Sequence, residues 1–257
     1  MRKIIILIFI LAPIFNVFSQ TKYQNKATLN YELNAFDRDF TPWHQVYLEY
    51  SRKFQPVSII IRTNYAHRFD KDAIQFEADA YPKIVKGTYA YLNLGYSPSD
   101  IFPKFRAGAE IFQSLPHSFE ASAGIRYLKF DSSEPFLITG SVGKYAGNYL
   151  FTVRPFFNTK KERVFSSIQF SVRRYFPDPD SYIAVLFGLG FSDEEKGLFT
   201  DVEDTKALYS QKGEISLNYK IFERFILKTS LSYEHLEFAP DKYRNKFGAE
   251  AGLSYLF

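Results

Sequence analysis

Apolar and polar residues alternate with a period of two along almost the whole chain, and this feature limits the fold more than any other. The pattern is cleanest at the end, where Phe247, Ala249, Ala251, Leu253, Tyr255 and Phe257 share one face. Lys246, Gly248, Glu250, Gly252 and Ser254 share the other. Successive side chains of a strand point to opposite sides, so this is a strand with one apolar and one polar surface. Chain ends of soluble domains usually fray into solvent. The closing strand of a transmembrane barrel instead ends at the membrane boundary and pairs with the first strand. Leu253, Tyr255 and Phe257 are therefore expected to form a membrane-insertion terminus.

The same alternation predicts strands over 27–36, 44–53, 57–67, 73–80, 88–97, 105–111, 119–127, 136–145, 149–157, 167–173, 183–191, 214–219, 224–238 and 246–257. Those at 57–67, 136–145, 149–157 and 224–238 alternate less cleanly. Turn signals separate the runs, among them Gln55-Pro56, Pro98-Ser99-Asp100, Leu115-Pro116, Ala146-Gly147-Asn148 and Pro177-Asp178-Pro179-Asp180. The expected fold is all-β, an antiparallel transmembrane β-barrel of 12–14 strands, with fourteen preferred. Twelve would result if two weak runs bent back or fused. With fourteen, the odd-numbered connections face outward and carry the long loops, and the eleventh holds the longest non-alternating stretch, 193–204. The competing fold is a soluble sandwich or lipocalin-like barrel with an apolar interior, which alternation alone does not separate from the first.

Composition bears on that choice. The chain has 28 Phe and 19 Tyr against one Trp, 19% aromatic in all, yet its mean hydropathy is slightly negative. Long apolar runs are missing after residue 18, which argues against helical spans. Alternate residues meeting lipid and water satisfy both facts. The other end agrees. Met1-Arg2-Lys3 is a basic start, followed by an apolar run to Phe18 and then Ser19-Gln20, the order of a secretory signal peptide. The run is short for a membrane-spanning helix. Residues 1–20 are expected to be a signal peptide and residues 21–257 the barrel. The chain has no cysteine, so neither a lipid anchor on cysteine nor a disulfide is available. A net charge of +4 spread along the chain gives no basic cluster of the kind nucleic acid needs.

From Tyr81 to Tyr175 a set of short motifs occurs in a specific order. They include Ala80-Tyr81-Pro82, Gly87-Thr88-Tyr89-Ala90-Tyr91, Ile101-Phe102-Pro103, the run 108–116, Glu120-Ala121-Ser122-Ala123-Gly124, the run 143–149, Arg154 and Arg173-Arg174-Tyr175-Phe176. In these the chain resembles the YaiO-type outer-membrane β-barrel family. The resemblance implies an outer-membrane barrel and no particular activity. Some members carry helical repeats ahead of the barrel, whereas here a signal peptide is expected to lead straight into it.

The face assigned inward carries the candidate chemistry: Glu77, Asp79, Tyr89, Tyr91, Arg106, Glu110, Glu120, Arg126, Arg154, Arg173 and Glu214. Charges inside a barrel must be solvated or paired, because burying a lone charge is costly. They would either grip a charged solute through arginine or form a ladder of Arg–Glu pairs that locks the register. Arg106, Glu110, Glu120 and Arg126 are expected at matching heights on adjacent strands, as one cross-strand network. Inward glycines at 95, 108, 124, 143, 188 and 190 leave gaps over which Tyr89 and Tyr91 would pack or stack on a sugar. The outer loop places Asp193, Glu194, Glu195, Asp201, Glu203 and Asp204 together. Without EF-hand spacing, that loop reads as solvated rather than as a metal site.

Four histidines, His44, His67, His117 and His235, lack metal-ligand spacing and a Gly-x-Ser-x-Gly context, so no catalytic residue, metal or cofactor is assigned. The expected partners are outer-membrane lipid and lipopolysaccharide, the barrel-assembly machinery and a small solute or glycan, bound by a monomer. The functional readings are a structural or narrow-transport barrel, with a membrane-embedded hydrolase or acyltransferase as the alternative.

Overall fold

The computed structural model describes residues 23–37, 40–131, 133–159, 165–191, 209–239 and 242–257. Fourteen strands follow one another: β1 (Asn25–Phe36), β2 (Trp43–Lys53), β3 (Val57–Arg68), β4 (Lys71–Val85), β5 (Thr88–Tyr96), β6 (Phe105–Leu115) and β7 (Phe119–Lys129) form the first half. The second half is β8 (Phe136–Ala146), β9 (Tyr149–Asn158), β10 (Phe165–Tyr175), β11 (Tyr182–Phe191), β12 (Tyr209–Phe222), β13 (Phe225–Ala239) and β14 (Lys242–Leu256). Each pairs antiparallel with its sequence neighbours, and β1 pairs with β14, so the sheet is a closed barrel. Closure removes both edges, which lipid could not satisfy.

The two faces settle which way the sheet is turned. Leu29, Leu48, Ile61, Leu94, Phe187 and Leu231 face outward and are each more than half exposed, while Thr28, Asn64, Gln75, Glu77, Asp79 and Glu110 are buried inside. Apolar outside and polar inside is the inverse of a soluble barrel and the arrangement lipid requires. The strands that alternate poorly do so for identifiable reasons. In β3, Ile60 takes an inward position beside Arg62, and in β9 the ring of Phe156 lies inside under Arg126. Between β8 and β9 the ladder skips Gly140 and Ser141 opposite Arg154 and Pro155, where proline has no N–H to give.

The connections fall into two sets. One end of the barrel carries 54–56, 86–87, the 3-10 turn Pro116–Ser118, 147–148, 176–181 and 223–224. The other carries 37–42, 69–70, 97–104, 130–135, 159–164, 192–208 and 240–241. Short turns of such barrels face the periplasm and longer loops the exterior, so the first end is periplasmic. The parity expected from the sequence holds. The acidic stretch at 193–204 and the segment 1–20 lie outside the described residues.

Two fold details position the lumen. The β1–β14 seam sets Asn30 opposite Gly252 and Asn34 opposite Gly248. A Cβ on either glycine would collide with the asparagine carboxamide across from it. At the outer mouth, loop 97–104 folds inward, and Ile101 and Phe102 are buried against Ala66 and Ala73, a directly paired alanine couple on β3 and β4. Ser97, fully buried, donates to the Ile74 carbonyl at 2.6 Å, and Lys104 bridges Asp100 at 2.8 Å and Asp131 at 3.5 Å.

The polar lumen as candidate functional site

The pairing registers place Glu49, Arg62, Glu77, Gly95 and Arg106 in one row across β2 to β6. Adjacent members of such a row stand about 5 Å apart, within reach of one long side chain. Arg62 donates to Glu49 from Nη2 at 2.8 Å and from Nε at 3.1 Å, and its Nη1 donates to Glu77 at 2.8 Å. Arg106 starts two strands from Glu77, yet its Nη1 lies 2.7 Å from the carboxylate. Gly95 makes this reach possible, because a Cβ there would sit 2.5 Å from Arg106 Cγ. Asp79 extends the cluster, accepting from Asn93 at 2.6 Å and Tyr91 at 3.1 Å, with Arg62 at 3.6 Å.

A second cluster centres on Glu110. Its carboxylate accepts from Arg154 Nη1 at 2.6 and 2.8 Å and from the Ser122 hydroxyl at 2.6 Å, and Arg126 stands 3.9 Å away. Ser122 also meets the Ser141 hydroxyl at 2.6 Å. Arg154 therefore spans from β9 to β6 over two strands that present only small groups. Glu110 leans over Gly124, where a Cβ would lie 2.6 Å from its own.

These contacts revise one expectation. Of Arg106, Glu110, Glu120 and Arg126, expected in one network, Arg126 stands beside Glu110, whereas Arg106 is bound to Glu77 and Glu120 meets Tyr89. Arg106 and Glu110 share a strand but lean opposite ways, each over the gap left by a glycine on the neighbouring strand. The gaps are filled by these charged side chains, whereas Tyr89 stacks on Phe112 at 4.7 Å and Tyr91 packs on Tyr81 at 5.2 Å. Glu120 is met by the Tyr89 hydroxyl at 3.4 Å. Arg173 lies apart on β10, its guanidinium 4.3 Å from the Tyr182 ring centre and donating to the Tyr175 hydroxyl at 3.2 Å.

Other lumen groups, Glu214 excepted, were not singled out from the sequence. Arg62 is the hub of the first cluster, and the uneven alternation of β3 concealed it. Glu234 on β13 pairs with Lys246 at 2.7 Å, and Lys212 pairs with Glu214 at 2.8 Å. Toward the outer mouth, Trp43 is buried among Phe36 and Phe69. Arg244 lies 4.7 Å from the ring centres of both Phe36 and Phe40. The signal for this plug was an aromatic at an inward position of β2, where a polar residue is usual.

Two of the cavities lined by described residues lie in the lumen. One, of about 430 Å³, is walled by the first cluster together with Gln45, Asn64, Gln75 and Lys228, and roofed by Ile101, Phe102 and Pro103. The other, of about 410 Å³, runs along β10 to β14 past Gln169, Gly188, Ser210 and Lys246. Gln45 and Arg68 line both. The rim histidines contact neighbours at the outer end: His44 meets the Tyr31 hydroxyl at 2.7 Å, His67 meets Asp72 at 2.8 Å and His235 meets Asn245 at 2.8 Å.

Residues 24–195 match the model of the YaiO membrane beta barrel domain. Among solved structures the chain is similar to the CymD monoaromatic hydrocarbon channel, with 5% identity, 91% of this chain and 89% of that one covered, and a TM-score of 0.62. It is also similar to Omp33 of Acinetobacter baumannii, at 11% identity, 92% and 99% coverage and a TM-score of 0.57. OpdQ of Pseudomonas aeruginosa follows at 8% identity, 91% and 98% coverage and a TM-score of 0.52. At these identities the likeness concerns the fold. No curated protein matches the chain.

Proposed function

The chain belongs to the YaiO membrane beta barrel family, and we propose that this outer-membrane member is a narrow channel for small hydrophilic solutes. One observation carries the reading: polar cavities of about 430 and 410 Å³ lie in the lumen and share walls, while many of the charges around them, Glu49, Arg62, Glu77, Arg106, Lys212, Glu234 and Lys246 among them, are held in ion pairs. Each volume is at the small end of what holds an organic solute. Charges locked in pairs keep their side chains against the wall and leave the middle to water. A cargo of apolar molecules, such as the named cargo of the hydrocarbon channel, would meet a lining of Arg, Glu, Gln and Asn and lose hydration for nothing. Sugars and small ionic solutes suit that lining.

In this reading residues 1–20 are an export signal and the barrel is 21–257. Glu77, Asp79, Arg106, Glu110, Arg126 and Arg154 set the bore, with Glu120, Tyr89, Tyr91 and Arg173 nearer the periplasmic end. Leu253 and Tyr255 on β14, with Phe257 just beyond its end, would be read by the barrel-assembly machinery.

A purely structural barrel is the second reading, and the density of cross-strand ion pairs favours it. Single-channel recording in a planar bilayer separates the two. A channel gives steady conductance, and Arg106→Ala shifts its ion selectivity because Glu77 loses one of its two arginines. Silence in wild type and variant alike would reject the channel and leave the structural role.

A further inference from the structure

The two ends of the barrel differ in how their outward polar groups are satisfied. At the outer end these groups answer one another. Tyr65 and His67 both meet Asp72, at 2.6 and 2.8 Å, and Lys129 reaches Glu134 at 4.0 Å. Tyr233 and His235 both meet Asn245, each at 2.8 Å, and Asn245 donates to Asp37 at 2.5 Å. At the periplasmic end some outward groups also answer one another, Tyr50 with Asn25 at 2.9 Å and Thr88 with Gln113 at 2.6 Å, but three cations are laid on rings. Arg52 lies 4.8 Å from the Phe54 ring centre, Lys144 4.2 Å from Phe119 and Arg224 5.5 Å from Tyr23. Arg224 also donates to the Tyr255 hydroxyl at 3.2 Å, and Lys144 donates to the His117 carbonyl. Among the described residues none of these three cations is paired with a carboxylate.

The chemistry that completes such a group is an anion at interface depth. A ring under the flat face of a guanidinium leaves its edge N–H groups pointing outward, and a phosphate accepts from that edge in a paired geometry. Lysine adds a point charge of the same sign. The three sites are spread around the perimeter, near the turns after β2, β8 and β12, so they resemble a belt rather than a pocket for one molecule. The surrounding phase at this height is the headgroup layer of the inner leaflet.

We propose that Arg52, Lys144 and Arg224 bind the phosphates of anionic glycerophospholipids in the periplasmic leaflet of the outer membrane. This inference stands apart from the channel reading and would hold for a plugged barrel. Each such contact at an anionic surface favours binding by about fivefold at low salt.

The test is native mass spectrometry of the folded barrel released from micelles containing equal phosphatidylglycerol and phosphatidylcholine. Wild type should retain phosphatidylglycerol in preference by about fivefold or more. The triple variant Arg52→Gln, Lys144→Gln, Arg224→Gln should lose that preference. A charge-matched variant of the outer end, Lys71→Gln, Lys129→Gln, Lys242→Gln, should keep it. No preference in wild type, or equal loss in both triple variants, would overturn the proposal. Should the inner variant fail to insert, wild type alone decides: the preference must fall as salt rises, and a salt-independent preference rejects phosphate pairing.

Discussion

The lumen has a crowded wall and a sparse one. From β2 to β9 the inward row is filled by long charged side chains that lean over glycine or serine and grip a partner one to three strands away. From β10 to β12 the same face is mostly short or uncharged, reading Ser167, Gln169, Ser171, Ala184, Leu186, Gly188 and Ser210, with Arg173, Lys212 and Glu214 as its charged members, and the second cavity lies against it. Both walls are the same sheet with the same pleat, so the difference comes from side-chain length alone. It teaches that the cross-strand ion pairs are concentrated on one side of the barrel, while cavities of about 430 and 410 Å³ lie against both sides.

The sharpest way to break the contrast is to remove an anion from each wall. Glu77 is 4% exposed and is the carboxylate that Arg62 and Arg106 share, so Glu77→Ala should cost about 3–5 kcal/mol by removing the buried acid between them, although Arg62 keeps Glu49. Glu214→Ala, which removes a more exposed pair with Lys212, should cost less than about 1 kcal/mol. Urea unfolding from lipid vesicles measures both, and equal losses would erase the distinction between the walls.

Adding a methyl group is the next test. Gly95→Ala puts a Cβ 2.5 Å from Arg106 Cγ and should cost about 1–3 kcal/mol as the arginine is displaced. Gly188→Ala meets Lys212 Cβ at 3.7 Å, an ordinary contact, and should be close to neutral by the same unfolding assay. A larger graft on the sparse wall, Gly188→Phe, should leave the unfolding midpoint in place while lowering single-channel conductance. Unchanged conductance would show that solute does not pass along that wall.

The smallest effect concerns loop 97–104. The Lys104 ammonium holds the Asp100 carboxyl below its ordinary value of 3.8, and is itself held above the usual lysine range. A carboxylate with a lowered folded pKa contributes stability above its ordinary value and loses it as pH falls through the lowered one. The loop should therefore resist an acid-active protease at pH 5 and become more easily cut as pH falls below the ordinary aspartate value of 3.8. Lys104→Gln should remove the pH step.

Much of the fold was legible because period two is a local signal, written into each strand without help from its neighbours. The positions of the strands and the two faces of each follow from it, whereas the exact count stayed between 12 and 14 and the side facing lipid needed the aromatic terminus and the leader as well. The partners inside the lumen were less legible. Glu77, Arg106, Glu110 and Arg154 could be assigned inward, but which acid meets which arginine depends on register and on bare positions such as Gly95 and Gly124, set by the whole closed sheet. Arg62 was hidden by Ile60 on its own face. The inward fold of 97–104 was hidden too, since its seat is two alanines that alternation reads as small residues of no consequence.

The asparagine and glycine pairs at the β1–β14 seam have a consequence for biogenesis. Joining first strand to last is the step that turns an open sheet into a barrel, and a slide of two residues would keep every apolar side chain facing lipid. Hydrophobicity cannot detect that error. The seam can, because sliding would bring Asn30 against Glu250 or Ser254 instead of the bare backbone of Gly252. Asn30 and Asn34 thus act as teeth that mesh at one setting, so that closure itself proofreads the assembled product.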